Sequence, residues 1–112
     1  MRLPIVATLM TICLGGAASA GDFMDGMDDQ EIAGEAGDVI GGAQACGYSL
    51  DMSNVQAFIE SRIAEMAGDN RGYFRNSVAL RNDTLLDMPE VERIAQCILQ
   101  KKMAQKYGFL SK

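Results

Sequence analysis

Histidine and tryptophan are missing from this 112-residue chain, and only two prolines and seven aromatic residues occur in it. Without imidazole there is no histidine acid–base catalysis and no Ser-His-Asp or Cys-His arrangement, so no enzyme is expected. Basic residues are also scarce, ten against fifteen acids for a net charge of −5. A nucleic-acid partner needs a basic footprint to displace counterions, and the chain as a whole has none. Nowhere do β-branched residues alternate with polar ones as they do in a half-buried strand. No hydrophobic run is long enough to cross a bilayer, because the apolar stretch from Leu3 to Leu14 is about a dozen residues where roughly 20 are needed.

That stretch follows a single positive charge at Arg2 and leads to small residues, Ala18-Ser19-Ala20, a pattern that reads as a secretory signal peptide over 1–20, cleaved before Gly21. Acylation at Cys13 would need a small residue before it, and Ile12 stands there. Cleavage removes Cys13 and leaves Cys46 and Cys97, an even pair that in an exported chain reads as a disulfide. The expected product is periplasmic or secreted, one small domain with no stable membrane span, carrying nine basic residues and a net charge of −6. Closing a loop of about 50 residues stabilises a fold by roughly 4 kcal/mol on the chain-entropy model.

Charge then divides the chain. Residues 21–45 hold seven acids, no base and six glycines, whereas from Cys46 onward eight acids meet nine bases, and every charged residue beyond Glu92 is basic. The acidic segment reads as a mobile solvated arm or as a weak helix. For the helix, Ile32, Ala36, Val39, Ile40 and Ala43 recur near helical spacing behind a cap at Asp28 or Asp29. Against it, Gly34, Gly37, Gly41 and Gly42 each cost about 0.5–1 kcal/mol relative to alanine, so such a helix would form only if docked, for instance against Lys101, Lys102 and Lys106.

Residues 46–112 read as a disulfide-stapled helical domain. A capping box at Ser53 and Gln56 opens a helix whose Val55, Phe58, Ile59, Ile63 and Met66 share a face before Gly68 stops it. A short helix over 73–81 brings Phe74, and 82–84 connects it to Leu85 and Leu86, which plug the core. The strongest signals lie over 87–108, where Asp87 caps with Glu90, Pro89 occupies the first turn and Gly108 ends the element. Ile94 and Ile98 are expected to pack on Phe58, Ile59 and Ile63. The fold class is all-α, a small bundle of three to four short helices with one disulfide behind an acidic, glycine-rich segment.

Reactive constellations are few. Asp28-Asp29 and the Glu90, Glu92 pair have no evident cleft, and Asp25-Gly26 lacks the oxygen ligands of a calcium loop around it. Met24 and Met27, interleaved with Asp22, Asp25 and Asp28, offer thioethers for weak Cu(I) binding, although methionines at such a position more often dock a segment on the core. Cys46 and Cys97 stand 51 apart in no C-x-x-C arrangement, which removes the usual redox motif. No cofactor is implied.

A cysteine just ahead of a helix, a second about 50 residues later in a helix that opens with Pro89 and carries Ile94-Ala95-Gln96-Cys97, and a lysine-bearing C-terminus together resemble the small periplasmic acid-stress chaperones of the HdeA type. The chain departs from that pattern in lacking tryptophan and in carrying the acidic segment. The resemblance implies a homodimer that loosens in acid and exposes apolar surface, such as Phe74, Leu85 and Leu86, to unfolded clients. The expected function is that of a non-enzymatic exported interaction or accessory module with a protein partner. Acid-responsive chaperoning and weak Cu(I) handling are its alternatives.

Overall fold

The computed structural model describes residues 23–111. The signal-peptide reading of 1–20, the cleavage point, Cys13 and Asp22 lie outside the described residues. Among the described residues there are five α-helices, α1 (Asp29–Gly41), α2 (Ala43–Cys46), α3 (Met52–Phe58), α4 (Gly68–Leu86) and α5 (Glu90–Tyr107), with one π-helical turn at Ile59–Ile63 continuing α3. Among the described residues there is no strand beyond an isolated antiparallel bridge between Leu50 and Leu110. Cys46 and Cys97 lie at disulfide distance and tie α2 to α5.

The acidic segment is helical from Asp29 and lies in the middle of the fold. Asp28 and Glu31 form a reciprocal capping box, in which the Glu31 N–H donates to Asp28 Oδ1 at 2.8 Å and the Asp28 N–H donates to Glu31 Oε1 at 3.3 Å. Ile32, Ala33, Ala36 and Val39 are buried, so one face of α1 is core, while Asp29 and Glu31 face outward and Glu35 and Asp38 are half-buried at its edge. The solvated-arm reading therefore fails for 29–41. The glycines that argue against this helix in isolation are what let it dock. A Cβ on Gly37 would stand 2.6 Å from Ser77 Cβ and 2.8 Å from the Phe74 carbonyl oxygen, and one on Gly41 would meet the Val78 carbonyl and Cα. The α1 and α4 backbones thus run too close for any side chain between them, and the packing gained offsets the propensity cost.

α4 is longer than the 73–81 expected and absorbs Asn82, Asp83 and Thr84. Its extension has a tertiary cause, since it is the surface against which α1 lies. Asn82 is engaged as well, its Oδ1 accepting the Ala45 N–H at 2.8 Å. Gly68 is the first residue of α4 and not a stop. Because α4 runs on, Asp87 is its C-cap, and Pro89 takes the N-cap position of α5 with no side-chain hydrogen bond. At α3 the cap falls two residues ahead of the one expected. Asp51 accepts from the N–H of Ser53 and Asn54 at 3.1 and 3.2 Å, and Ser53 donates its own hydroxyl to the same carboxylate.

One end of the core is aromatic. Tyr107 stacks on Phe109 with centroids 5.2 Å apart, and Phe58 meets both edge-on at 5.6 and 5.1 Å. Phe23 adds an edge contact to Tyr107 at 5.1 Å. Pairs of this geometry contribute about 0.5–1.5 kcal/mol each beyond area burial. Past Gly108, which closes α5 with φ +78°, the chain folds back so that the Asp51 N–H donates to the Phe109 carbonyl at 2.7 Å and Ser111 donates to Ser49 at 3.1 Å. Met24 and Met27 are partly buried against this core.

Candidate functional site

At the opposite end, beside the disulfide, a chain of polar groups crosses the core. Arg81 of α4 donates from Nε to Gln100 Oε1 at 2.9 Å and from Nη2 to Gln96 Oε1 at 3.2 Å. Gln100, buried on α5, donates from Nε2 to the Tyr48 hydroxyl at 3.1 Å and lies 3.7 Å from Cys46 Sγ. Tyr48 in turn donates to the Val39 carbonyl of α1. Burial pushes the Tyr48 hydroxyl's pKa up, partly offset by its bond to Gln100, so it remains a neutral donor. One hydrogen-bonded line thus joins α4, α5, the loop after α2 and α1. Leaving a buried member of such a line unpaired costs about 1–3 kcal/mol.

An open cleft of about 190 Å³ borders this line, with Glu35, Asp38, Arg81, Gln96, Leu99 and Met103 among its walls. Asp38 is half-buried there, and desolvation raises its carboxyl pKa, with the nearby Arg81 charge acting the other way. At the aromatic end Tyr107 donates to Glu35 Oε1 at 3.0 Å, and burial followed by the Glu35 charge drives its pKa well above the usual phenol range. Tyr48 and Gln100 are committed to each other, Tyr107 to Glu35 and Gln96 to Arg81. Their role is to hold the helices in register.

A different arrangement occupies the outer side of α5. Cys97, Gln100, Ala104 and Tyr107 point inward at spacings of three and four, which leaves Val91, Ile94 and Ile98 on an outward stripe that begins beside Cys97. Val91 is 81% exposed, and Ile94, Ile98 and Leu99 are 51%, 55% and 58% exposed. Arg93, Ile94, Ile98 and Lys101 also line a shallow depression over the disulfide, of about 280 Å³.

The residues singled out from the sequence thus separate into two groups. Phe58, Ile63, Phe74 and Leu85 are buried and Ile59 is partly buried, whereas Leu86, Ile94 and Ile98 are exposed. The expected packing of Ile94 and Ile98 on α3 does not occur. The disulfide and Gln100 set the rotation of α5, and that rotation carries both isoleucines to the outside. Tyr48, Arg81 and Gln100 escaped the sequence reading because a buried glutamine looks like any surface one. Its place on the same face as Cys97 and Tyr107 was the available signal. Among the described residues no group of three or more Cys, Asp and Glu side chains gathers where it could hold a metal ion, and no helix is long and apolar enough to cross a membrane. The acids also stay away from the lysines of α5. Among the described residues the one ion pair is Arg62 with Asp29, at 3.9 Å on the surface. Compared with protein-family models, curated proteins and solved structures, the chain matches none.

Proposed function

We propose that the protein is a non-enzymatic, exported interaction module that binds a protein partner through the outer face of α5. The observation that carries this reading is the apolar stripe of Val91, Ile94 and Ile98, exposed on a helix whose other side is already committed to the core. Three large aliphatic side chains on one short stretch of surface are a standing cost in water that contact with a partner removes. Export accords with the disulfide-distance cysteines and the leader pattern in residues 1–20.

Neither alternative finds comparable support. Release of an acidic arm in acid would have to pull Ile32, Ala36 and Val39 out of the core, which is unfolding and not unlatching. The Met24 and Met27 thioethers are engaged in packing. A photo-crosslinking residue placed at Ile98 in the living cell tests the reading. A discrete protein adduct at Ile98 that is missing when the same residue replaces exposed Arg75 supports it, and equal labelling at the two positions removes it.

A further inference from the structure

The outer stripe of α5 also has a charge order, and that order identifies its partner. Acids cluster at the start of the helix and just before it, at Asp87, Glu90 and Glu92, and bases toward its end, at Lys101, Lys102 and Lys106. On a helical wheel, Glu90 and Lys101 flank the stripe on the same side. The midpoint between Glu90 and Lys101 falls beside Ala95. The apolar stripe is centred within one residue of the same place, between Val91 and Ile98. Two copies of α5 laid antiparallel about a twofold axis there would put Glu90 of each opposite Lys101 of the other. Ile94 would meet its own counterpart near the axis. A parallel pairing would set like charges side by side along both ends.

We infer that the occupant of this face is a second copy of the chain, docked through α5 against α5 in an antiparallel, isologous pair. This rests on the reading of the α5 surface as the interaction face and adds the identity of the partner. A face that is complementary to itself under a twofold rotation has its match already supplied. The contact is apolar in the middle and charged at the rim, and the rim fixes antiparallel against parallel orientation more than it adds affinity.

Sedimentation equilibrium of the purified, disulfide-bonded protein, over a range up to about 1 mM, tests the inference. The expected result is a reversible monomer–dimer equilibrium. Ile94→Lys places two charges together at the axis and should weaken it by at least about a hundredfold. Circular dichroism should show an unchanged fold, since Ile94 is exposed. Glu90→Lys and Lys101→Glu should each weaken self-association about tenfold, and an equimolar mixture of the two should recover it, because the mixed pair restores both contacts. A wild-type protein that stays monomeric throughout, a dimer indifferent to Ile94→Lys, or single reversals that the mixture fails to rescue would each overturn the inference. The crosslink at Ile98 separates this failure from that of the underlying reading. An adduct with a different protein keeps the interaction face and removes the self-pairing, whereas an adduct of twice the chain's mass supports both.

Discussion

α1 and α5 border the same core and spend their aliphatic residues in opposite ways. In α1, Ile32 and Val39 are sealed to 0% and 1% exposure, and small residues let the helix sink against α4. In α5 the larger share of aliphatic side chain faces outward, and the helix is held inside by a disulfide, a glutamine, an alanine and a tyrosine. The helix that looks weakest on propensity is therefore the better buried, and the one with the strongest local signals leaves an apolar face unused. Close approach depends on the absence of side chains as much as on their presence. A helix can be anchored by a few specific contacts and keep its hydrophobic surface for another purpose.

The contrast can be broken first at the disulfide, which holds α5 where its aliphatics do not. Cys97→Ser should destabilise by about 2–5 kcal/mol in urea unfolding, and the mature protein, without residues 1–20 and their Cys13, should show no titratable thiol in denaturant. Next comes the seam of α1. Gly41→Ala pushes a methyl group into the Val78 backbone, which has no rotamer to yield, and should cost about 3 kcal/mol even though alanine favours helices. Gly37→Ala, facing the Phe74 carbonyl, should behave alike. If both stabilised the protein, the close approach of α1 to α4 would be wrong.

A smaller effect lies in the pH dependence of α1. Because burial raises the folded-state pKa of Asp38, its contribution is fully present below the unfolded carboxyl pKa and is lost as pH rises through the folded one. Asp38→Asn should therefore gain stability at neutral pH relative to wild type and lose that advantage in acid. Asp51 has the opposite sign. Its carboxyl pKa is lowered by the bonds from Ser53 and Asn54, so its contribution is present above the unfolded pKa and fades as pH falls through the folded one. Paired unfolding curves at neutral and acidic pH for Asp38→Asn and Asp51→Asn should diverge in opposite directions. The smallest change is expected at Ile94→Ala, within about 0.5 kcal/mol, against about 2–5 kcal/mol for Ile63→Ala in the core. Equal costs at the two isoleucines would erase the distinction between the outer face of α5 and the core.

The all-helical class, the disulfide and the end of α5 at Gly108 were legible because a glycine stop and an even cysteine pair are local signals, whereas the expected cap at Ser53, stop at Gly68 and cap at Asp87 each gave way to a neighbour. Of the two caps the sequence offered for α1, Asp28 and Asp29, the first is the one used, and its return bond from Glu31 comes from the structure. What the sequence hid is tertiary. Gly34, Gly37 and Gly41 read as liabilities until a second backbone lies against them, and Asn82 and Thr84 read as a connection until α1 supplies a surface along which α4 can continue. The face of α5 was ambiguous because both of its sides carry apolar residues, Ile94 and Ile98 on one and Ala104 and Tyr107 on the other. Only the rotation imposed by Cys97 and Gln100 decides between them.

The π-helical turn at Ile59–Ile63, closed by the Ala64 N–H donating to the Ile59 carbonyl at 2.8 Å, sets how this stretch bears changes in length. Buried Phe58 and Ile63 are five residues apart, one more than a regular turn would place between them. The turn thus holds the residue that an insertion would have left behind, and it can give that residue back. Deleting Glu60 would let an ordinary α-helix bring both side chains inward, whereas a single-residue deletion in the middle of α4 would swing everything after it by about 100° around the axis. Length variation between this protein and chains descended from a common ancestor should therefore collect at 59–63 and spare α4.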